Sequence, residues 1–378
     1  MVIPKLRFKE FQEDWNNLKY KDVLTIKYGK DHKKLNEGTI PVYGTGGIMR
    51  YVNQYLHDGE SILICRKGTI DQPKYVNEKF WTVDTLFYTQ IKDNSIPLFL
   101  YQHALQVNWL GLNEATGVPS LNTTSINNVD IALPSKKEQT KIATFLSAVD
   151  EKIAQLSQKL HLLGQYKQGM MQKLFSQQIR FKADDGREFG EWEYKPLNEI
   201  AYKNSIKNKD GNITEVLTNS ALQGVIKQSD YFDREIVTEA NLHGYYLVNI
   251  NDFVYNPRIS VHAPVGPIKR NKKCLGVMSP LYTIFTVEIG NLTYLEYFFD
   301  SNFWHDYVKS VANSGARHDR MNITNKDFFE MPILYPCLKE QTKIANFLSA
   351  IDQKIDVVSE QLEQAKLWKK GLLQQMFV

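Results

Sequence analysis

Two stretches of the chain repeat apolar residues at heptad spacing, and this pattern predicts two long helices. In residues 137–175 and 339–377 the apolar positions fall on two adjacent rows of a helical surface. Neither stretch contains proline, and both are rich in Lys, Gln, Leu and Ala, which favour helix. Pro134 and Pro336 stand shortly before them, where a helix can begin. We therefore expect two helices of about 38 residues, each roughly 57 Å long.

The apolar rows give each expected helix a seam on which another helix can pack. The polar exceptions are Lys167 and Lys369, and a polar seam residue can fix register and orientation at a cost in stability. The seams favour an antiparallel coiled coil between the two helices, while packing against the helices of another protein is the alternative. The seam residues are Ile142, Leu146, Val149, Ile153, Leu156 and Leu160 in the first stretch, and Ile344, Leu348, Ile351, Ile355 and Leu362 in the second.

The two stretches are also copies of one another. They align without a gap at a shift of 202 residues, and 20 of the 39 positions are identical. The start of each half is similar too, because an Arg-Phe-Lys sequence at Arg7 and at Arg180 precedes Trp15 and Trp192 respectively. Such repetition predicts a duplicated, pseudo-symmetric architecture. The expected parts are a first domain at 1–136, a helix at 137–178, a second domain at 179–338 and a helix at 339–378.

The two dissimilar domains have the mixed, loop-rich character of an α+β fold. Short runs of β-branched and aromatic residues predict strands, and one longer apolar segment in each domain predicts a helix. These helices stand at comparable places in both domains, which supports the duplication. The predicted strands include 61–65, 80–83, 245–248 and 281–285, and the predicted helices cover 96–110 and 292–312.

Composition narrows the class of protein without selecting a function. The 378 residues carry a net charge of +4, which permits nucleic-acid binding but does not argue for it. Cys65, Cys274 and Cys337 form no metal-binding pattern with each other or with histidine, so we expect no metal site. The sparse thiols, and the lack of a long apolar run or a signal-peptide pattern, indicate a cytoplasmic protein.

Three loops of the first domain carry residues suited to DNA contact. Glycines beside Tyr43 let backbone amides approach a phosphate, although a plain tight turn is the alternative. Basic residues directly after the strand at 61–65 suit groove or phosphate contact, and a solvated turn is the alternative. A polar loop follows the long predicted helix. The candidates are Tyr43, Gly44, Thr45, Gly46, Arg66, Lys67, Thr69, Ser120 and Asn122.

The second domain offers two comparable loops. One follows a predicted strand, at a position like that of the Arg66 loop. The other carries three basic residues within four positions, which equips it best for base or phosphate contact, with a salt-bridged surface loop as the alternative. The candidates are Arg258 and Ser260 in the first of these loops, and Arg317, His318, Arg320 and Asn322 in the second.

The sequence does not favour an enzyme. Asn256-Pro257-Arg258 contains only the first half of an adenine-methylase tetrad, and there is no Walker A sequence. The acidic residues show no nuclease grouping, and the eight histidines form no HExxH pattern. We therefore expect a non-catalytic chain without its own cofactor.

Taken together, these features resemble the specificity subunit of type I restriction-modification systems over the full chain. The resemblance rests on the two proline-led KEQTKIA helix starts at Pro134 and Pro336, on the two Arg-Phe-Lys sequences, and on unlike domains between similar helices. It implies two target-recognition domains that each read half of a bipartite, asymmetric site on double-stranded DNA. The candidate loops then lie in the recognition domains, but no individual DNA contact carries over.

The resemblance also implies partners. The helices would set the gap between the half-sites and dock two methylase subunits, and two motor-nuclease subunits would complete the complex. S-adenosylmethionine, ATP and magnesium would then belong to those partner subunits. The alternative is a coiled-coil scaffold that binds only protein and has no DNA specificity.

Overall fold

A computed structural model describes residues 4–231, 242–312 and 319–377. The chain divides into two compact units, and each contains one end of both long helices. Unit 1 consists of Met1–Leu160 and Val358–Val378, and unit 2 consists of His161–Val357.

Unit 1 combines strands with short helices. Its strands are β1 (Asn16–Lys19), β2 (Leu24–Tyr28), β3 (Glu37–Gly44), β4 (Gly47–Val52), β5 (His57–Cys65), β6 (Lys74–Thr82), β7 (Leu86–Ile91) and β8 (Asp130–Leu133). Its short helices are α1 (Tyr20–Val23), α2 (Pro97–Ala104) and α3 (Thr123–Asn127), with a 3-10 turn at Leu110–Leu112.

The main sheet of unit 1 has six strands in the order β2-β7-β5-β6-β3-β4. All neighbours are antiparallel except β3 and β6, which are parallel. Strand β5 lies inside the sheet, and its last five residues are buried, as expected for a run rich in β-branched and leucine side chains. Strands β1 and β8 form a separate antiparallel pair.

Unit 2 contains more and shorter strands. They are β9 (Glu193–Pro196), β10 (Ala201–Asn204), β11 (Leu217–Ser220), β12 (Gly224–Lys227), β13 (Tyr246–Val248), β14 (Phe253–Tyr255), β15 (Ile268–Arg270), β16 (Gly276–Met278), β17 (Thr283–Val287) and β18 (Pro332–Tyr335). Its short helices are α5 (Leu292–Asp300), α6 (His305–Val311) and α7 (Asn325–Phe329), with 3-10 turns at Leu197–Glu199 and Gln228–Asp230.

The four-stranded antiparallel sheet of unit 2 has the order β10-β17-β14-β15. Its inner side packs on α5 through aromatic side chains such as Phe253, Phe285 and Phe299, whose ring centroids lie 5.5–5.9 Å apart. Three further antiparallel pairs, β11-β12, β13-β16 and β9-β18, surround this sheet. Both units are therefore mixed α and β.

The two long helices are α4 (Lys136–Phe175) and α8 (Leu338–Met376). All of the predicted seam residues are buried or half-buried. In unit 1 the start of α4 meets the end of α8, where Lys369 lies 2.5 Å from Asp150 and Phe145 packs edge-on against Trp368. In unit 2 the end of α4 meets the start of α8, where Lys167 lies 2.6 Å from Asp352. Each seam lysine thus has an aspartate of the other helix as its partner.

The repeated sequence motifs have matching local roles in the two units. Arg7 donates from Nε and Nη2 to the buried Glu138 carboxylate at 2.7 and 2.8 Å. Arg180 donates to the buried Glu340 at 3.1 and 2.8 Å in the same two-pronged geometry. The Arg-Phe-Lys segment is thereby fixed to the first turn of the long helix in each unit.

The glutamine that follows each of these glutamates fixes another connection. Gln139 accepts a hydrogen bond from the Ile96 amide just before α2, and Gln341 accepts one from the Asn291 amide just before α5, both at 2.8 Å. Each glutamine also donates to the carbonyl of the proline that precedes its helix. The KEQ sequence therefore joins a long helix to the globular part of its own unit.

The predicted secondary structure agrees with the structure in most places. The segment 61–65 lies within β5, and the other three predicted strands overlap β6, β13 and β17 but extend one or two residues beyond them. The two helix predictions were too long, because α2 already ends at Ala104, and the segment 292–312 is divided into α5 and α6. The break follows Asp300, where the Ser301 hydroxyl bonds the Phe298 carbonyl at the helix end. Within the described ranges, no helix is long and apolar enough to cross a membrane.

Candidate nucleic-acid interface

In unit 1 the structure brings two of the predicted loops side by side. The amide of Gly68 donates to the Pro119 carbonyl, and the amide of Leu121 donates to the Arg66 carbonyl, both at 2.9 Å. Lys67 and Ser120 therefore face each other as an antiparallel bridge. The loop that follows β5 and the loop that precedes α3 form one surface, although 53 residues separate Lys67 from Ser120.

The predicted glycine-rich segment is the tip of the β3–β4 hairpin. Thr45 and Gly46 form the turn, and Gly47 has a φ of 124°, a conformation that favours glycine. At Gly44 the nearest neighbour is the Met49 side chain, which is 61% exposed and could move aside for a larger residue. The Tyr43 hydroxyl donates to Glu78, and burial together with this carboxylate raises the pKa of Tyr43, so its hydroxyl keeps its proton. The tip of the hairpin is accessible to solvent.

Sequence reasoning missed a basic loop beside this hairpin. Asp31, His32 and Lys33 share a cleft of about 430 Å³ with the hairpin tip and with residues 83–85. The Lys30 amide donates to Thr82, while the Arg50 guanidinium donates to Leu35. The signal was present in the sequence, because Lys27, Lys30, Lys33 and Lys34 lie within eight residues.

The basic loop is continuous with the Arg66 loop. The guanidinium of Arg66 lies over the Tyr28 ring at 5.8 Å, in the range of a cation–π contact. The Arg66 amide donates to Thr85, and the Gly29 amide donates to Leu86. One edge of unit 1 therefore carries the hairpin tip, the lysine loop and the Arg66 loop together.

Unit 2 repeats the arrangement of two hydrogen-bonded loops. The amide of Ile259 donates to the Asp319 carbonyl at 3.0 Å, and the amide of Met321 donates to the Pro257 carbonyl at 2.9 Å. Arg258 and Arg320 consequently face each other as an antiparallel bridge, just as Lys67 and Ser120 do in unit 1. In both units the first loop follows a buried strand directly.

The loops of unit 2 border a cleft of about 590 Å³. Arg258, Ser260 and Arg320 all line it, together with Asn219 and Asn256. Polar and basic side chains along an open cleft can contact phosphates and base edges. Arg317 and His318 lie outside the described residues, and Asn322 is exposed beside the cleft loop.

Some of the predicted residues already have structural roles. Asn122 caps α3 by accepting from the Ser125 amide at 2.7 Å, and its amide group donates to Glu114. Ser260 accepts from the Ala263 amide within its own turn.

Thr69 and Lys67 are exposed, and Arg320 lies 3.7 Å from Asp319. The DNA-binding assignment of all these residues stays a prediction.

Each unit therefore carries adjoining basic and polar loops, and such side chains are suited to contact with nucleic acid. A comparison with protein families matches residues 12–163 and 190–367 to the type I restriction modification DNA specificity domain. The two matched regions cover most of both units. The chain belongs to the type I restriction-modification DNA specificity family.

Individual relatives agree with this assignment. The putative type I restriction enzyme MjaX specificity subunit of Methanocaldococcus jannaschii is 29% identical over 295 residues, covering 73% of this chain and 65% of that protein. The MjaVIII specificity subunit of the same organism is 25% identical over 273 residues, covering 69% of this chain and 64% of that protein. The match thus spans slightly less than two thirds of the length of these relatives.

The fold is also similar to a solved structure. The crystal structure of the type I restriction-modification S subunit from M. genitalium superposes with a TM-score of 0.62 at 14% identity. The match covers 100% of this chain and 99% of that one. At this identity the likeness describes the fold alone.

Proposed function

We propose that the chain is the sequence-specific DNA-recognition subunit of a type I restriction-modification complex. Each unit would read one half of a bipartite, asymmetric site on double-stranded DNA. The observation that carries the proposal is the pair of adjoining loops, Lys67 beside Ser120 and Arg258 beside Arg320, built with the same hydrogen-bond pattern in two otherwise dissimilar units. Two dissimilar DNA-recognition units on one chain are suited to an asymmetric target.

The two long helices would act as the spacer between the readers. The reciprocal ion pairs, Lys369 with Asp150 and Lys167 with Asp352, support an antiparallel coiled coil, because both pairs fit one antiparallel register. The polar seam residues would then fix that register, since sliding one helix past the other would separate both lysines from their partners. In this arrangement the domains would have the boundaries that the sequence repeat predicts. The paired helices would hold the two recognition domains at a constant separation.

The helices would also dock two methylase subunits. Tyr166 and Trp368 are equivalent residues of the two repeats, and they are 50% and 54% exposed. Exposed aromatic side chains at equivalent places suit a partner that binds twice through the same surface. Motor-nuclease subunits would join through the methylases, and S-adenosylmethionine, ATP and magnesium would be bound by those partners. This chain would contribute no catalytic residue and would work in the cytoplasm.

Replacing Trp368 with alanine is expected to weaken one of two equal methylase sites. A central aromatic anchor contributes about 2 kcal/mol or more, which corresponds to roughly 30-fold in affinity. Titration calorimetry of the methylase subunit into the variant should therefore resolve one tight and one weakened site. Tyr166→Ala should do the same, and Ile206→Ala, which removes an exposed apolar residue outside the long helices, should leave both sites equal. Two unchanged sites in Trp368→Ala would contradict the docking surface.

The recognition function itself is tested by mapping DNA methylation. The complex of this chain with its methylase subunits should modify one bipartite motif with a fixed gap. Replacing residues 1–136 with another recognition domain should change one half of the motif and leave the other half unchanged. A continuous motif, or methylation without any sequence preference, would contradict the proposal and favour an interaction scaffold.

A further inference from the structure

The arginines of the described residues fall into two groups. Five of the eight donate hydrogen bonds from the guanidinium to an acceptor of their own unit, and a sixth, Arg320, forms an ion pair with Asp319; the five are Arg7, Arg50, Arg180, Arg187 and Arg270. Among the residues that the structure describes, the guanidinium groups of Arg66 and Arg258 alone have no hydrogen-bond acceptor and no ion pair. One of these two arginines lies in each unit.

Arg66 and Arg258 also occupy corresponding loops. Arg66 is the first residue after β5, and Arg258 follows β14 by three residues. Strands β5 and β14 are both interior strands of their sheets. Each loop is bonded on its far side to the polar loop that precedes a short helix. Arg258 occupies the bridge position that Lys67 occupies in unit 1, and Arg66 lies one residue before that position.

In both cases the backbone is fixed while the charged group is free. The Arg66 amide donates to Thr85 and its carbonyl accepts from Leu121, at 2.8 and 2.9 Å. The Arg258 amide donates to the Asn256 side chain at 3.0 Å, and its neighbours on both sides bond the loop at 319–321. A guanidinium with five donors and no acceptor, carried on a fixed backbone, is available to bind an external acceptor.

The surroundings favour a base edge over a phosphate as that acceptor. In unit 1 Lys33 lines a cleft with Thr85, whose carbonyl accepts from the Arg66 amide, and a flexible point charge there can contact a phosphate. Arg66 itself is half-buried and steadied by the Tyr28 ring, and Arg258 lies at the cleft lined by Asn219 and Asn256. A rigid planar fork matches the O6 and N7 acceptors of guanine in the major groove.

We propose that Arg66 and Arg258 each read a guanine, one in each half of the DNA target. This inference rests on the proposed recognition function and adds the residue and the base. It requires a G·C pair in both half-sites, with each arginine responsible for one of them.

The test maps the methylation motif of the full complex with the wild-type chain and with the variants Arg66→Ala and Arg258→Ala. Arg66→Ala should reduce the preference for G·C at one position of the first half-site by about 5- to 150-fold and leave the second half unchanged. Arg258→Ala should do the same in the second half-site. Arg187→Ala removes an equal charge from an exposed pair with Asp185 and should leave the motif intact.

A second pair of variants distinguishes a loss of base recognition from a loss of charge and from a folding defect. Arg66→Lys and Arg258→Lys keep the charge but lose the fork, so they should relax the same positions while binding to non-specific DNA stays within about twofold. Equal weakening at every site, with the motif unchanged, would assign the arginines to phosphates and overturn the proposal. A half-site without any G·C pair, or an unaltered motif in the variants, would overturn it as well. Methylation without any motif in the wild-type complex would instead refute the recognition function.

Discussion

Replacing Arg180 with methionine is expected to lower the free energy of unfolding of unit 2 by about 3–5 kcal/mol, because the variant leaves the buried Glu340 carboxylate without its cation. The two hydrogen bonds from Arg180 to Glu340 are lost together with those to the Phe189 and Gly190 carbonyls, and the Trp192 indole, 2.9 Å from the carboxylate, is its remaining side-chain donor. Hydrogen exchange of unit 2 amides under increasing denaturant would measure the change within that unit.

The double variant Arg180→Met with Glu340→Gln is the decisive control. The amide keeps an acceptor for Trp192 but carries no charge, so most of the lost stability should return. Arg187→Met, in an exposed pair with Asp185, should change stability by less than about 0.5 kcal/mol. An equal loss in the double variant would mean that Arg180 acts through packing and its bonds to the Phe189 and Gly190 carbonyls, and not through the charge of Glu340.

Lengthening both long helices by four residues is expected to move the methylated motif to a longer gap. The insertions belong after Lys159 and after Glu360, between the two reciprocal ion pairs, so that both pairs can still form. Four residues add about 6 Å, which corresponds to roughly one or two base pairs along the duplex. Both half-site sequences should stay the same, and methylation mapping would show the new spacing directly.

The matched control is the same insertion in one helix only. Either Lys369 or Lys167 would then lie about one helical turn from its aspartate, so we expect weaker methylation without a uniform new gap. An active double-insertion variant that keeps the original gap would refute the spacer role of the helices.

The long helices could be predicted because their signals are local. The heptad rows and the prolines before them are visible within 40 residues, and the equivalent lysines at 167 and 369 stood out as polar seam residues. The aspartates that pair with them did not stand out, because a pairing between distant helices leaves no mark in the neighbouring sequence. The helix prediction for 292–312 was too long because the break after Asp300 has no glycine or proline to mark it in the sequence.

The candidate interface was predictable only in pieces. The Arg66 and Arg258 loops were visible as basic residues after strands, but their hydrogen-bonded neighbours lie more than 50 residues away. The lysines at 30, 33 and 34 were overlooked because no buried run directly precedes their loop: within β2 only Leu24 is buried. Which guanidinium groups are free could not be read from sequence, because it depends on acceptors supplied by distant segments.

The packing of Phe377 has a consequence for the order in which the protein can fold. This ring lies 5.1 Å from Phe99, and Leu372, Leu373 and Met376 join the same core of unit 1. A ribosome that has finished residue 160 must still add roughly 200 residues before this core is complete, which takes about 10–40 s at ordinary rates of synthesis. During that interval unit 1 of the nascent chain lacks part of its hydrophobic core and exposes apolar surface. Unit 2 is entirely synthesised before those last residues emerge. Unit 1, whose synthesis begins first, is therefore the unit that is completed last.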